Sequence, residues 1–113
     1  MIYKTFKDTE LFTGKTNKTY EYNIEDKDIN YCIVYIDGRF PTEKWAVNRK
    51  CKEMAHILKG EGILVVEDTT YHLKEDDVVL IDINEKYYWE GTFKLGIPCA
   101  PAWYPEQHEI VDK

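Results

Sequence analysis

The sequence is poor in arginine. It holds 15 basic against 21 acidic residues, for a net charge of −6, and Arg39 and Arg49 are its only arginines. A nucleic-acid surface needs clustered basic side chains that neutralise phosphates, and an anionic membrane surface makes the same demand. We therefore expect neither nucleic acid nor membrane as a partner.

The sequence also lacks paired cysteines and long apolar runs. Its three cysteines, Cys32, Cys51 and Cys99, are odd in number and far apart, which fits neither a disulfide framework nor a CxxC motif. No apolar stretch approaches the roughly 20 residues that span a bilayer. The first residues, MIYK, do not open a signal-peptide pattern. We expect a cytoplasmic protein with reduced cysteines.

Aromatic residues and strand patterns are abundant. The 113 residues include nine tyrosines and three tryptophans, and this length supports one hydrophobic core. Apolar and β-branched runs over 31–36, 62–67, 77–83 and 92–97 predict strands, with the first ending at Asp37-Gly38. A helix-compatible window over 50–58 lies among strands, so we expect it to be a strand too. The sequence predicts one all-β domain of antiparallel strands.

Two stretches resemble the conserved motifs of the small single-domain cupins: EMAHILKGEG over 53–62 and YHLKEDDVVLI over 71–81. Glu53 and Gly60 stand at the spacing of that family's metal-binding glutamate and glycine. The resemblance covers roughly residues 38–108. It implies a cupin-like jelly-roll barrel, often a homodimer, with its core at 30–112 and N-terminal strands and an arm at 1–29. Asp76 and Asn84 replace frequent cupin glycines, and both residue types tolerate left-handed backbone.

The resemblance does not extend to the metal ligands. The positions of the three cupin histidines fall on Ala46, Asn48 and Tyr87, so only the carboxylate of Glu53 remains. Imidazole nitrogens provide most of the affinity of such sites for divalent first-row metals. We expect no metal and no other cofactor.

A period of two places several side chains on the inner face of the predicted barrel. If Glu53 and Tyr87 point inward, Asn48 and Trp89 do too. The candidate catalytic residues are Glu53, Tyr87 and His108, because a buried carboxyl has a raised pKa and needs a partner. The alternative is that Tyr87, Trp89 and Trp103 fill the core, since small barrels are often packed solid. The full predicted pocket comprises Trp45, Asn48, Glu53, Tyr87, Trp89, Trp103 and His108.

Three functions are compatible with this pattern. The first is a metal-independent barrel that binds a small polar or carbohydrate-like molecule in an aromatic pocket. The second is a metal-dependent isomerase, epimerase or dioxygenase that uses Glu53 and His108. The third is a non-catalytic sensory or interaction module, in which a homodimer forms through the outer face of Met54, His56 and Leu58 and a strand at 2–6.

Overall fold

Nine antiparallel strands and no α-helix make up the computed structural model, which describes all residues from Met1 to Lys113. Two short 3-10 turns lie at Phe6–Asp8 and Pro105–Gln107. The strands are β1 (Glu10–Thr13), β2 (Asn17–Glu21), β3 (Asn30–Phe40), β4 (Trp45–Asn48), β5 (Lys52–Val66), β6 (Thr69–Lys74), β7 (Val78–Ile81), β8 (Tyr87–Ala100) and β9 (His108–Val111).

Strand β8 is the centre of this arrangement. One of its edges pairs with β3, from Asn30↔Cys99 to Phe40↔Trp89, and continues onto β4 at Ala46↔Tyr87. Its other edge pairs with β5, which also pairs with β6 and β7. Strands β1 and β2 extend the sheet beyond β3, and β9 extends it beyond β4. The sheet curls around its own inner face, as expected for a jelly-roll barrel.

The inner face carries the core because side chains alternate along each strand. On β5, Glu53, Ala55 and Ile57 are buried, whereas Lys52 and Met54 are exposed. The same alternation on β8 buries Trp89 and Leu95 among others. Residues 52–58 of the window over 50–58 are therefore part of the long strand β5, as predicted from their context.

Two predicted strand ends are wrong. Asp37-Gly38 makes no turn: β3 runs on to Phe40, and Gly38 pairs with Gly91 inside the ladder. The predicted strand at 62–67 is not separate from the window over 50–58, because β5 continues through Gly60 and Gly62, with a register shift between Ile57 and Lys59. Gly60 has a φ of +91°, and a Cβ there would overlap the Thr92 carbonyl oxygen. Gly60 and Gly62 of β5 and Gly91 of β8 let these two long strands bend and approach each other.

The N-terminal segment differs from expectation as well. Residues 2–6, predicted as a strand, form none in this chain. A capping box between Thr5 and Asp8 instead closes a 3-10 turn, and the Phe6 ring packs against Tyr20 at 4.9 Å between centroids. Asp76 and Asn84 do adopt left-handed backbone, with φ of 73° and 64°. No helix in the structure is long and apolar enough to cross a membrane.

Candidate functional site

A cavity of about 890 Å³ opens on the inner face of the sheet. Its walls come from β1, β2, β3, β5, β8 and β9. The segments 23–27 and 102–105 complete the lining, and we call them its mouth because they include the exposed residues Glu25, Asp26, Lys27 and Pro105. Ala102 donates its backbone N–H to the Lys27 carbonyl at 3.0 Å, so the two mouth segments are tied together.

Glu53 is the buried carboxyl of this cavity. It lies on β5 between Ile81 of β7 and Cys99 of β8, and only 9% of its surface is exposed. The Tyr87 hydroxyl donates to Oε2 at 3.4 Å, and the Cys99 thiol donates to Oε1 at 3.8 Å. Burial raises the pKa of Glu53 to about 7, although both hydrogen bonds act in the opposite direction. Glu53 therefore exchanges a proton near neutral pH.

Tyr87 remains a neutral hydrogen-bond donor beside this carboxyl. Burial, followed by the charge of Glu53, raises the pKa of the Tyr87 phenol well above its usual range, and the nearby Asn48 amide only partly opposes this. Burial also raises the pKa of the Cys99 thiol far above its usual range. Neither group is a nucleophile at neutral pH, so Glu53 is the reactive member of the three.

Asn48 lies behind the cavity wall and not in its lining. The side chain is fully buried, and its Oδ1 accepts a hydrogen bond from Gln107 Nε2 at 2.9 Å. Gln107 Oε1 in turn accepts from the backbone N–H groups of Lys50 and Cys51, at 3.1 and 3.2 Å. Gln107 thus holds the start of β5 against β4 and the turn at 105–107. Sequence reasoning missed this residue.

His108 and Trp103 share one side of the cavity. Their ring centroids lie 5.8 Å apart, and both rings border the cavity. Burial lowers the pKa of His108. The imidazole is therefore neutral at pH 7 and has a nitrogen lone pair available to accept a proton.

The three tryptophans have different surroundings. Trp89 borders the cavity and is also a core residue, 2% exposed and packed edge-on against Phe93. Trp45 is not in the lining, because its ring packs against Tyr88 at 5.0 Å with the Lys113 ammonium 4.9 Å from its centroid. Five of the predicted pocket residues line the cavity, namely Glu53, Tyr87, Trp89, Trp103 and His108.

A second interior carboxyl was missed from the sequence. Glu21 follows Asn17 and Thr19 along β2 in two-residue steps, and all three border the cavity. Glu21 lies opposite Cys32 in the β2–β3 ladder. Burial raises its pKa, and its Oε1 is buried without a hydrogen-bond partner.

The residues at the cupin metal position do not fit a divalent transition metal. Ala46 offers no donor atom, the Asn48 oxygen is engaged by Gln107, and the Tyr87 phenol stays protonated. Glu53 alone is a usable ligand, and nowhere in the chain do three or more histidine, cysteine, aspartate or glutamate side chains form a metal-binding group. Such metals favour sites with several nitrogen or sulfur ligands.

Several proteins of known structure share this architecture. Pac13 from Streptomyces, a nucleoside dehydratase, superimposes with a TM-score of 0.89 at 14% identity, over 99% of this chain and 92% of that chain. Ectoine synthase from P. lautus gives a TM-score of 0.78 at 16% identity, over 98% and 90% of the two chains. KdgF from Halomonas sp. gives 0.73 at 9% identity, over 88% and 94%.

The fold is that of the cupins. At these identities the likeness establishes the architecture alone, and it confirms the cupin-like barrel expected from the motifs at 53–62 and 71–81. No protein-family model matches the sequence, and no curated protein is significantly similar to it.

Proposed function

We propose that this cupin-like barrel binds a small polar, carbohydrate-like molecule without a metal and exchanges protons with it through Glu53. The observation that carries the proposal is a buried carboxyl with a pKa of about 7 that borders a cavity of about 890 Å³. Catalytic acids and bases are most effective when their pKa lies near the working pH.

The lining supports a small organic ligand. Pockets for such molecules usually measure about 300–1,000 Å³ and combine apolar walls with a few polar groups. Here Trp103 and Phe40 offer aromatic surface, while Asn30 and Thr19 offer polar groups. Sugars match this combination, because their apolar faces pack on aromatic rings while their hydroxyls form hydrogen bonds.

Two proton-transfer groups of different character border the same cavity. The neutral imidazole of His108 is suited to accept a proton, and protonated Glu53 is suited to donate one to a leaving or carbonyl oxygen. Tyr87 keeps the carboxyl in place through its hydroxyl. An isomerisation or elimination on a hydroxylated molecule needs such an acid and base, and it requires no external oxidant or metal.

One structural neighbour provides a concrete probe. A variant of Streptomyces Pac13 has been solved with uridine, and its fold covers 99% of this chain with a TM-score of 0.89. A nucleoside contains a ribose, so uridine belongs to the ligand class proposed for this cavity.

The test is a thermal-shift and calorimetric screen with uridine and common monosaccharides. We expect at least one to raise the melting temperature, since a ligand that binds the folded state stabilises it. The Glu53→Gln variant should bind the same compound, whereas only the wild-type protein should convert it, as followed by NMR. Lack of binding by every compound, or equal conversion by both proteins, would contradict the proposal.

The outer face of the barrel favours a homodimer as an additional feature. Met54 of β5 pairs with Leu80 of β7, and the two residues are 43% and 56% exposed. Val78, two residues from Leu80 on the same face, is 54% exposed. We propose that a second copy covers this surface, and we expect light scattering at micromolar concentration to give twice the chain mass. A Leu80→Lys variant should be monomeric, and a monomeric wild-type protein would refute the dimer.

A further inference from the structure

The cavity wall contains acidic side chains without basic ones beside them. Its two interior ionisable acids, Glu21 and Glu53, lie on β2 and β5, and no lysine or arginine lies beside them in the lining. The lining includes one lysine, Lys27, which is exposed at the mouth together with Glu25 and Asp26. The interior therefore has no cation to receive an anionic ligand group.

Both arginines are committed elsewhere. Arg39 donates to the carbonyl oxygens of Pro41 and Lys44 at 2.8 and 2.9 Å, and its guanidinium lies over the Tyr88 ring. Arg49 forms a 2.8 Å ion pair with Glu109. Neither belongs to the cavity lining, so a phosphate or carboxylate on the ligand would meet carboxyl groups with no compensating guanidinium.

Glu21 is only partly satisfied: the backbone N–H groups of Asn23 and Tyr22 donate to its carboxyl, but one oxygen has no partner. Its Oε1 is buried and accepts no hydrogen bond, and a buried acceptor without a partner is costly. The carboxyls of Glu25 and Asp26 at the mouth are solvent-exposed. Glu21 is thus the lining carboxyl that still has an oxygen without a hydrogen-bond donor.

We propose that the ligand of this cavity carries a protonated amine that Glu21 receives, which makes Glu21 its specificity-determining residue. An ammonium group brings three donors and a positive charge, and a charge-assisted hydrogen bond in a partly desolvated site is stronger than a neutral one. The inference deepens the function proposed above and rests on it. It selects amine-bearing polar molecules over their phosphorylated counterparts.

Binding of an amine should be accompanied by the release of protons. A cation beside Glu21 and Glu53 favours their charged forms, so both carboxyls release protons when the ligand binds. Burial currently raises the pKa of each. Calorimetry in two buffers of different ionisation enthalpy measures this proton release directly.

The experiment compares two matched trios of probes by titration calorimetry. One trio is 5′-amino-5′-deoxyuridine, uridine and uridine 5′-monophosphate, and the other is glucosamine, glucose and glucose 6-phosphate. We expect the amine of at least one trio to bind about tenfold more tightly than its parent compound, and the phosphate to bind most weakly. Glu21→Gln should abolish the amine preference and keep the affinity for the parent. Glu61→Gln, a control at an exposed position of β5 outside the cavity lining, should leave the preference intact.

The outcomes separate the two proposals. Equal affinity for amine and parent, or tighter binding of the phosphate, would overturn the amine inference and leave the proposed function standing. An amine preference that survives in Glu21→Gln would overturn the role of Glu21. Binding of neither trio would count against the proposed function itself.

Discussion

The Glu53→Gln variant should be more stable than the wild-type protein above pH 7, by about 3 kcal/mol. The pKa of this carboxyl is about 7 in the folded protein against an ordinary value of 4.5, and each pH unit between the two contributes about 1.4 kcal/mol. The folded state binds the Glu53 proton more tightly than the unfolded state does. The free energy of unfolding of the wild-type protein therefore falls as the pH rises from 4.5 to 7, and it then levels off. Glutamine has no charge to desolvate, and it retains an oxygen that accepts the Tyr87 hydroxyl.

Urea unfolding at pH 5 and pH 8 measures this difference. We expect the variant and the wild-type protein to differ little at pH 5 and most at pH 8. Glu61→Gln removes an exposed carboxyl from the same strand and should shift stability by less than about 0.5 kcal/mol at either pH. A Glu53→Gln effect of equal size at both pH values would show that burial does not penalise the charge.

The stability that the protein loses when buried Glu53 ionises is consistent with a functional role for this residue. A fold that keeps a carboxyl where ionisation is unfavourable gives up stability, and that arrangement is common at sites where the group performs chemistry. Tyr87 and Cys99 donate to this carboxyl without abolishing the penalty, since burial remains the larger effect on its pKa. The stability and activity of the same variant should therefore change in opposite directions.

The inward position of Glu53 could be predicted from the sequence because it rests on local rules. A period of two fixes which residues of a strand share a face, and residues 53, 55 and 57 obey it even beside the register shift that follows Ile57. The left-handed turns at Asp76 and Asn84 were expected because the cupin resemblance places glycines there, and both residue types tolerate that backbone. Cupin-like spacing then placed these elements in one barrel, as the solved structures confirm.

The features that could not be predicted from the sequence depend on contacts between residues far apart in the chain. Glu21 reaches the cavity only because β2 adds to the edge of β3, and nothing local to residues 17–21 indicates that partner. Gln107 resembles an ordinary loop residue until the turn at 105–107 folds back onto Asn48. The Asp37-Gly38 pair is typical of a hairpin turn, yet a facing glycine, Gly91, lets the strand continue. Tertiary context overrode the local preference there.

The last prediction contrasts two tryptophans that border the same cavity. Trp89 is 2% exposed and belongs to the core, whereas Trp103 lies in the irregular mouth segment and is only half-buried. Trp89→Ala should cost about 3–5 kcal/mol, as large-to-small core substitutions of tryptophan do, which is much of the stability of a small domain.

Trp103→Ala should cost about 1 kcal/mol and weaken binding of a ligand such as uridine about tenfold, because it removes an aromatic surface at the mouth without opening the core. Urea unfolding and titration calorimetry on both variants measure the two effects. Trp103→Phe, which keeps a ring beside His108, should recover most of the affinity. If Trp103→Ala binds as well as the wild-type protein, the aromatic ring at the mouth does not contact the ligand, and the ligand must then lie deeper in the cavity, between Glu53 and Glu21.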